Sequence, residues 1–573
     1  MDPIRYTLTF PAPQTHYVEV SAEIPAAGRE TVELSMAVWT PGSYLIREFS
    51  RHVEAVTAEG PSGALPVEKT AKNRWRVTMD GAATVGVSYR VYGREMSVRT
   101  NWIDADFAFL NGAPTFLTLA DRAPRPHQVT IVPAAGWTGA VTALDPLGPG
   151  PTPAFCAPDY DTLIDSPIVV GRPEVHEFLV DGTPHALANV GDTTFFDAPR
   201  AVRDLEAIVR AHKEFWGELP YPRYVFLNLI TEAGGGLEHA RCSVLMTSRW
   251  TTRTRPAYLR WLELASHELF HAWNVKRLRP IELGPFDYER EVLTPSLWIV
   301  EGITEYYGDV LLHRAGISSL QEFLDSLSDK IEELQTTPGR AVRSVTQASM
   351  DAWIKLYRPD ENTPNSSISY YTKGAVVAFL LDARIRRATG GARSLDEVMR
   401  EACASFSGAR GFTPGEFRAV AERVAGVDLG DFWRTAVEGT GELDYREALD
   451  VFGLEFKAVD GHPNGRRRAW LGAQTKVDAG RLLVAQVRRD TPAFAAGLNV
   501  DDEVLAIDQV RVRADRLDER LEQYAPGDRV EMLVARRDRL LSVVVTLGAE
   551  PPRKWRLVPR PDQGCPAAPL LHR

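Results

Sequence analysis

Cysteine is scarce. Cys156, Cys242, Cys403 and Cys565 are the only four in 573 residues, far apart and without a C-x-x-C pair. That spacing excludes a disulfide framework or a thiolate zinc site as the organising element, and it suits a reducing compartment. A positive charge excess is also missing. Lys and Arg number 66 against 76 Asp and Glu, for a net charge of −10, so no overall field holds the phosphates of nucleic acid or of an anionic membrane. The local basic run Arg466, Arg467 and Arg468 reads as a solvated loop. No apolar run approaches a transmembrane span, and the opening M-D-P-I-R-Y-T-L-T-F has neither the basic n-region nor the apolar h-region of a signal peptide. The expectation is a soluble, cytoplasmic protein with no nucleic-acid or membrane partner. No repeat of fixed period is found.

What is present is a globular composition, 44% hydrophobic and 25% charged, in a chain long enough for about three domains. From Tyr6 to Gly171 the pattern is β. Val18, Val20 and Ala22 alternate with polar residues, as do Val32, Leu34, Met36 and Val38, and then Val85, Val87, Tyr89 and Val91. Period-two runs broken by Gly, Pro and Asn predict half-buried antiparallel strands. Two segments, W-T-P-G-S-Y-L-I-R-E-F (39–49) and N-W-I-D-A-D-F-A-F-L-N-G-A-P (101–114), mix aromatics with turn formers. They suit either a binding cleft or core-packing loops. Between Gly171 and Asp192 the chain passes to a second region, with an amphipathic helix at 198–217, a strand at 224–230 and the glycine-rich G-G-G-L-E-H-A at 234–240. Composition is helical from Tyr258 to about Val451, clearest at 318–335, 371–389, 395–403 and 414–425.

The centre of this region is L-E-L-A-S-H-E-L-F-H-A-W-N, 262–274, with His267, Glu268 and His271 in the H-E-x-x-H pattern. Apolar residues recur around it at helical spacing, and nothing in 257–277 breaks a helix. Positions i and i+4 share a helix face, so both imidazoles can address one cation while Glu268 reaches a water beside it. The plainer alternative is a helix that happens to carry two histidines. A catalytic zinc needs a third protein ligand and an open position. Glu301, in S-L-W-I-V-E-G-I-T-E-Y-Y-G-D, is the leading candidate, with Asp287, Glu289 and Glu291 competing by position. Glu305, one turn on, suits the role of accepting the far ring N–H of a liganding histidine.

The last third carries D-T-P-A-F-A-A-G-L-N-V-D-D-E-V-L-A-I-D at 490–508, followed by a short helix near 517–523 and strands at 530–535 and 541–547. This resembles a PDZ domain, which takes an extended peptide or a C-terminus by strand addition; its carboxylate-binding loop would fall at L-G-A-Q near Leu471, a poor match to the usual form.

H-E-L-F-H followed by W-I-V-E-G-I-T-E-Y is similar to the gluzincin aminopeptidases, whose second motif supplies the glutamate ligand. Gly235, Gly236, Leu237, Glu238 and His239 resemble their G-x-M-E-N strand, and S-Y-Y-T-K-G-A resembles their Y-x-K-G-A motif, with Tyr371 in its tyrosine position and Tyr370 as rival. With the 39–49 segment and the PDZ-like module, the chain most resembles the glycyl aminopeptidases. His239 departs from the motif's asparagine, and the gap from His271 to Glu301 is longer than in the larger relatives. The resemblance implies a multidomain α+β architecture. An N-terminal antiparallel β domain (1–171) precedes a thermolysin-like, mostly helical catalytic domain with a small sheet (172–460). A PDZ domain (465–550) and a loose tail (551–573) follow.

It also implies one Zn2+ on His267, His271 and Glu301, with Glu268 as general base. By the same resemblance Tyr371, with Tyr370 its rival, would be the oxyanion donor, a kind of contact worth about 2.7–4 kcal/mol. Glu238, with Gly235 and Gly236, binds the free α-amine of a peptide substrate. The expected activity removes small N-terminal residues, Gly and Ala. Two alternatives compete: a PDZ-assisted zinc endopeptidase of protein quality control, and a catalytically silent PDZ scaffold.

Overall fold

The computed structural model describes residues 2–26, 28–150, 152–459 and 467–561. Arg466, Cys565 and tail residues 562–573 lie outside that set. The chain groups into two compact units. One comprises Met1–Thr294, Tyr307–Ser318 and Val398–Phe417, the other Pro295–Tyr306, Ser319–Glu397 and Arg418–Arg573.

In the first unit, the expected alternating runs form the strands Tyr17–Pro25, Thr31–Ser35 and Thr84–Tyr92. Their inward residues Val18, Val20, Leu34, Val85 and Val87 are at most 1% exposed and join one core with Tyr6 and Phe116. Most pairings are antiparallel. Ile4–Thr9 instead runs parallel to His127–Val132 at the centre of an eight-stranded sheet.

The next part is a five-stranded mixed sheet ordered Glu174–Val180, Thr183–Gly191, Tyr224–Ile230, Cys242–Thr247, Gly235–Glu238. Every residue of Tyr224–Ile230 is buried, as a strand shielded on both faces must be. The last-named strand, antiparallel to Cys242–Thr247, stands at the edge and carries Glu238 at its end. Two of this unit's helices bear on the site. Ala198–Trp216 is capped by Asp197 and closed by left-handed Gly217, and Arg255–Phe270 is capped by the Thr254 side chain with a proline in its first turn.

This second helix is shorter than its apolar periodicity predicts. It ends at Phe270 rather than near 277, because the amides of Ala272 and Trp273 turn to the carbonyls of Leu269 and Phe270. Val275 then adopts φ +106°, and the Lys276 amide returns to the His271 carbonyl at 3.1 Å. Such tertiary turns leave no trace in hydrophobic spacing.

The second unit holds the helices Leu320–Thr336, opened by a Ser319/Glu322 capping box, and Tyr370–Ala388. Its six-stranded sheet has Ala473–Asp478 at one edge. The expected loose tail is corrected over its first part. Arg553–Pro559 is a strand paired antiparallel with Leu454–Val459. Leu557 is fully buried and its amide donates to Ser328 Oγ at 2.9 Å, while Trp555 packs edge-on against Phe456. The prolines that suggested a loop, Pro551 and Pro552, precede the strand, where the missing N–H costs no ladder bond.

Candidate active site

His267 and Glu268 sit in the last turn of the Arg255–Phe270 helix and His271 is its cap. The turn that ends the helix has a chemical consequence. His271 Nδ1 lies 2.8 Å from the Asn274 carbonyl oxygen. A carbonyl only accepts, so Nδ1 carries the proton and Nε2 presents a lone pair. That Nε2 is 3.1 Å from His267 Nε2. Two nitrogens each 2.0–2.1 Å from a tetrahedral zinc stand about 3.3 Å apart, so the pair fits such an ion. The orienting role expected of Glu305 is taken at His271 by this backbone carbonyl. Glu305 itself forms an ion pair with Lys330 Nζ at 3.1 Å.

Glycines set the carboxylates in place. Glu268, 5% exposed, lies against the edge strand so tightly that a Cβ on Gly236 would stand 2.1 Å from its Oε1. Gly42, from the 39–49 loop, has φ +85°, and a Cβ there would meet both Glu238 oxygens at 2.5 Å. Gly235 has φ +126° and open space around it. The 39–49 loop packs into the core and also reaches Glu238. Trp39, Tyr44 and Phe49 are buried and the Trp39 indole donates to the Asp287 carbonyl, while Gly42 faces Glu238. In the 101–114 segment the short strands Trp102–Ile103 and Ala108–Leu110 pair antiparallel, and Asn101 bonds to the Asn111 amide and to Thr115.

Because Gly236 has no room for a methyl group, Gly236→Ala is expected to push Glu268 aside. A displacement of about 1 Å costs on the order of 10²-fold in turnover, so kcat should fall by about that factor while the melting temperature stays near wild type. Unchanged kcat would show that Glu268 needs no fixed position.

Glu238 is 4% exposed, and its Oε1 has no hydrogen-bond partner among the described residues. Its neighbour His239 bonds through Nδ1 to Asp165 Oδ1 at 3.0 Å, and Lys276 Nζ reaches the same oxygen at 2.8 Å. Burial pushes the Asp165 carboxyl up, but the Lys276 charge and the His239 hydrogen bond outweigh it and hold it at about 2. Burial pulls Lys276 down, and the charges of Asp165 and Glu238 overcome that and keep it an ammonium. This cluster, with Asn274 and Gly42, was not found from sequence. No local motif links residues so far apart in the chain.

In the second unit Glu301, 2% exposed, lies on a π-helical stretch, Trp298–Gly302, that leads into the helix Ile303–Arg314. Single π turns within helices are frequent at functional sites. The Trp298–Gly302 stretch crosses the Tyr370–Ala388 helix at two glycines, where a Cβ on Gly302 would stand 2.4 Å from Gly374 Cα. The glycines of the E-G and K-G-A motifs therefore permit a backbone contact that sets Glu301 near Tyr371. Burial first, then the Glu301 charge and the Tyr357 phenol, push Tyr371 well above the usual phenol range, so it remains a proton donor. Tyr370 is fully buried, its ring stacked on that of Tyr371.

One ligand atom from each of Glu238, Glu268 and His271 lies within 4.8 Å of the others. Two competitors of Glu301 are engaged elsewhere, Glu289 with Arg74 at 2.8 Å and Asp287 with Arg290 at 2.8 Å, and the third, Glu291, is exposed.

Residues 5–172 match the Peptidase M61 N-terminal domain, 260–377 the M61 glycyl aminopeptidase model, and 469–547 the PDZ domain. No curated protein matches the chain. Among solved structures, an aminopeptidase N family protein from Idiomarina loihiensis is 31% identical over 97% of this chain and 98% of its own, with a TM-score of 0.92. An M1 zinc metallopeptidase from Deinococcus radiodurans shares the fold at 15% identity, over 77% of this chain and 95% of its own, with a TM-score of 0.50. No described helix is long and apolar enough to cross a membrane.

Proposed function

Because this chain belongs to the M61 glycyl aminopeptidase family and is a zinc metallopeptidase, we propose that it removes small N-terminal residues, Gly and Ala foremost, from peptides with a free amine. One zinc ion would be held by His267, His271 and Glu301. The observation that carries this reading is the histidine pair, whose Nε2 atoms stand 3.1 Å apart, the spacing that two ligands of one zinc ion take. Once bound, the ion supplies Lewis acidity toward a carbonyl and toward water.

The chain's own residues do the rest. Glu268 takes the proton of the attacking water and returns it to the leaving amine. Tyr371, kept protonated, donates to the oxygen that gains charge. Glu238 accepts from the substrate's α-ammonium through a charge-assisted hydrogen bond, its Oε1 being buried without a partner among the described residues, and Gly235 and Gly236 let the substrate backbone approach. Glu305 is assigned to orienting His267, since Asn274 already holds His271. The boundaries proposed are 1–171, 172–460 and 465–550, with the PDZ edge Ala473–Asp478 adding a peptide strand or C-terminus.

Glycyl and alanyl anilides should be cleaved, and acetylated peptides should not. Glu238→Ala should lose most activity, about 10²-fold in kcat/KM, through the amine contact. Efficient cleavage of blocked peptides by the wild type would instead favour an endopeptidase.

A further inference from the structure

We propose that Glu238 and Glu268 form a second, weaker cation site beside the histidine pair. Excess divalent metal would compete there with the substrate's N-terminal ammonium. The inference rests on the reading of Glu238 as the amine's seat.

Two carboxylates, 4% and 5% exposed, offer oxygens within one 4.8 Å group, an arrangement whose mutual repulsion favours a cation between them. The walls are backbone: Gly42 closes on both Glu238 oxygens and Gly236 on Glu268 Oε1, so neither position adds a side chain to the site. Glu238 Oε1 has no hydrogen-bond partner among the described residues. The nearby ammonium, Lys276, is bonded to Asp165 at 2.8 Å. His271 sits in the same group but has no nitrogen to spare, since Nδ1 is held by Asn274 and Nε2 faces His267. A cation here is therefore held by carboxylate oxygen and water. That set accepts Mn2+ as well as surplus Zn2+ and binds more weakly than an imidazole site. The substrate's α-ammonium needs the Glu238 carboxylate as its acceptor, so metal and substrate exclude each other there.

Equilibrium dialysis of the full chain against Zn2+ and Mn2+ tests the site without reference to turnover. Two classes are expected for Zn2+, at least about 100-fold apart in affinity. Glu238→Gln and, separately, Glu268→Gln should abolish the weaker class and keep the tight one, and His267→Ala should do the reverse. Thermal melts identify any variant that has not folded, and the other carboxylate variant then decides. A single class in the wild type, or a weaker class indifferent to both carboxylate changes, overturns the proposal. In steady-state assays excess Zn2+ should raise KM for a glycyl anilide at unchanged kcat. If the weaker class follows Glu238 and yet metal lowers kcat alone, the site stands, and the competition falls together with the placing of the amine at Glu238.

Discussion

Glu268→Gln is expected to lower kcat for a glycyl anilide by about 10²–10⁴-fold, the usual contribution of a general base, with bound zinc unchanged. Glutamine has the shape of glutamate and can keep the place against Gly236, but it cannot take a proton. Glu268 neighbours His267 on the same helix turn and is proposed as the base, not as a zinc ligand. Loss of turnover without loss of metal is thus the signature that separates a base from a ligand. Rate assays paired with elemental analysis of the same preparations make the measurement. Activity within a few-fold of wild type would remove Glu268 from the chemistry, and depleted zinc would reassign it as a ligand.

Glu301→Ala and His267→Ala form the complementary pair, with both metal and activity disappearing together. A zinc site with three protein ligands that loses one keeps two, and structural zinc binding of about 10–16 kcal/mol depends on the full set. After dialysis at low free zinc, each variant should hold well under one ion per chain and show background turnover. Wild type treated with a chelator should behave likewise and recover when zinc is added. Glu301→Ala that still bound zinc tightly would show that the third ligand lies elsewhere, although the rivals Asp287 and Glu289 are already paired with arginines.

The π-helical Glu301 stretch bears on the same point. Gly302 and Gly374 meet almost backbone to backbone, and that crossing sets the carboxylate relative to Tyr371. The motif glycines were visible in the sequence, but only the packed helices show which backbone each one admits.

A similar division runs through the molecule. Spacing four apart on an apolar helix was enough to pair His267 with His271, because helix geometry is local and repeats every 3.6 residues. Alternation was enough for the β region for the same reason, while the PDZ-like module was legible through the likeness of its 490–508 run to that domain's signature. Tertiary contacts decided the rest. The chain reversal after Phe270 brings the Asn274 carbonyl to His271 and fixes its tautomer. A loop some two hundred residues upstream delivers Gly42 to Glu238, Asp165 gathers His239 and Lys276, and a supposedly loose end becomes a strand over Leu557. These depend on groups distant in the chain that meet only when cores close, and hydrophobic period carries no information about which distant partner a buried polar atom will find.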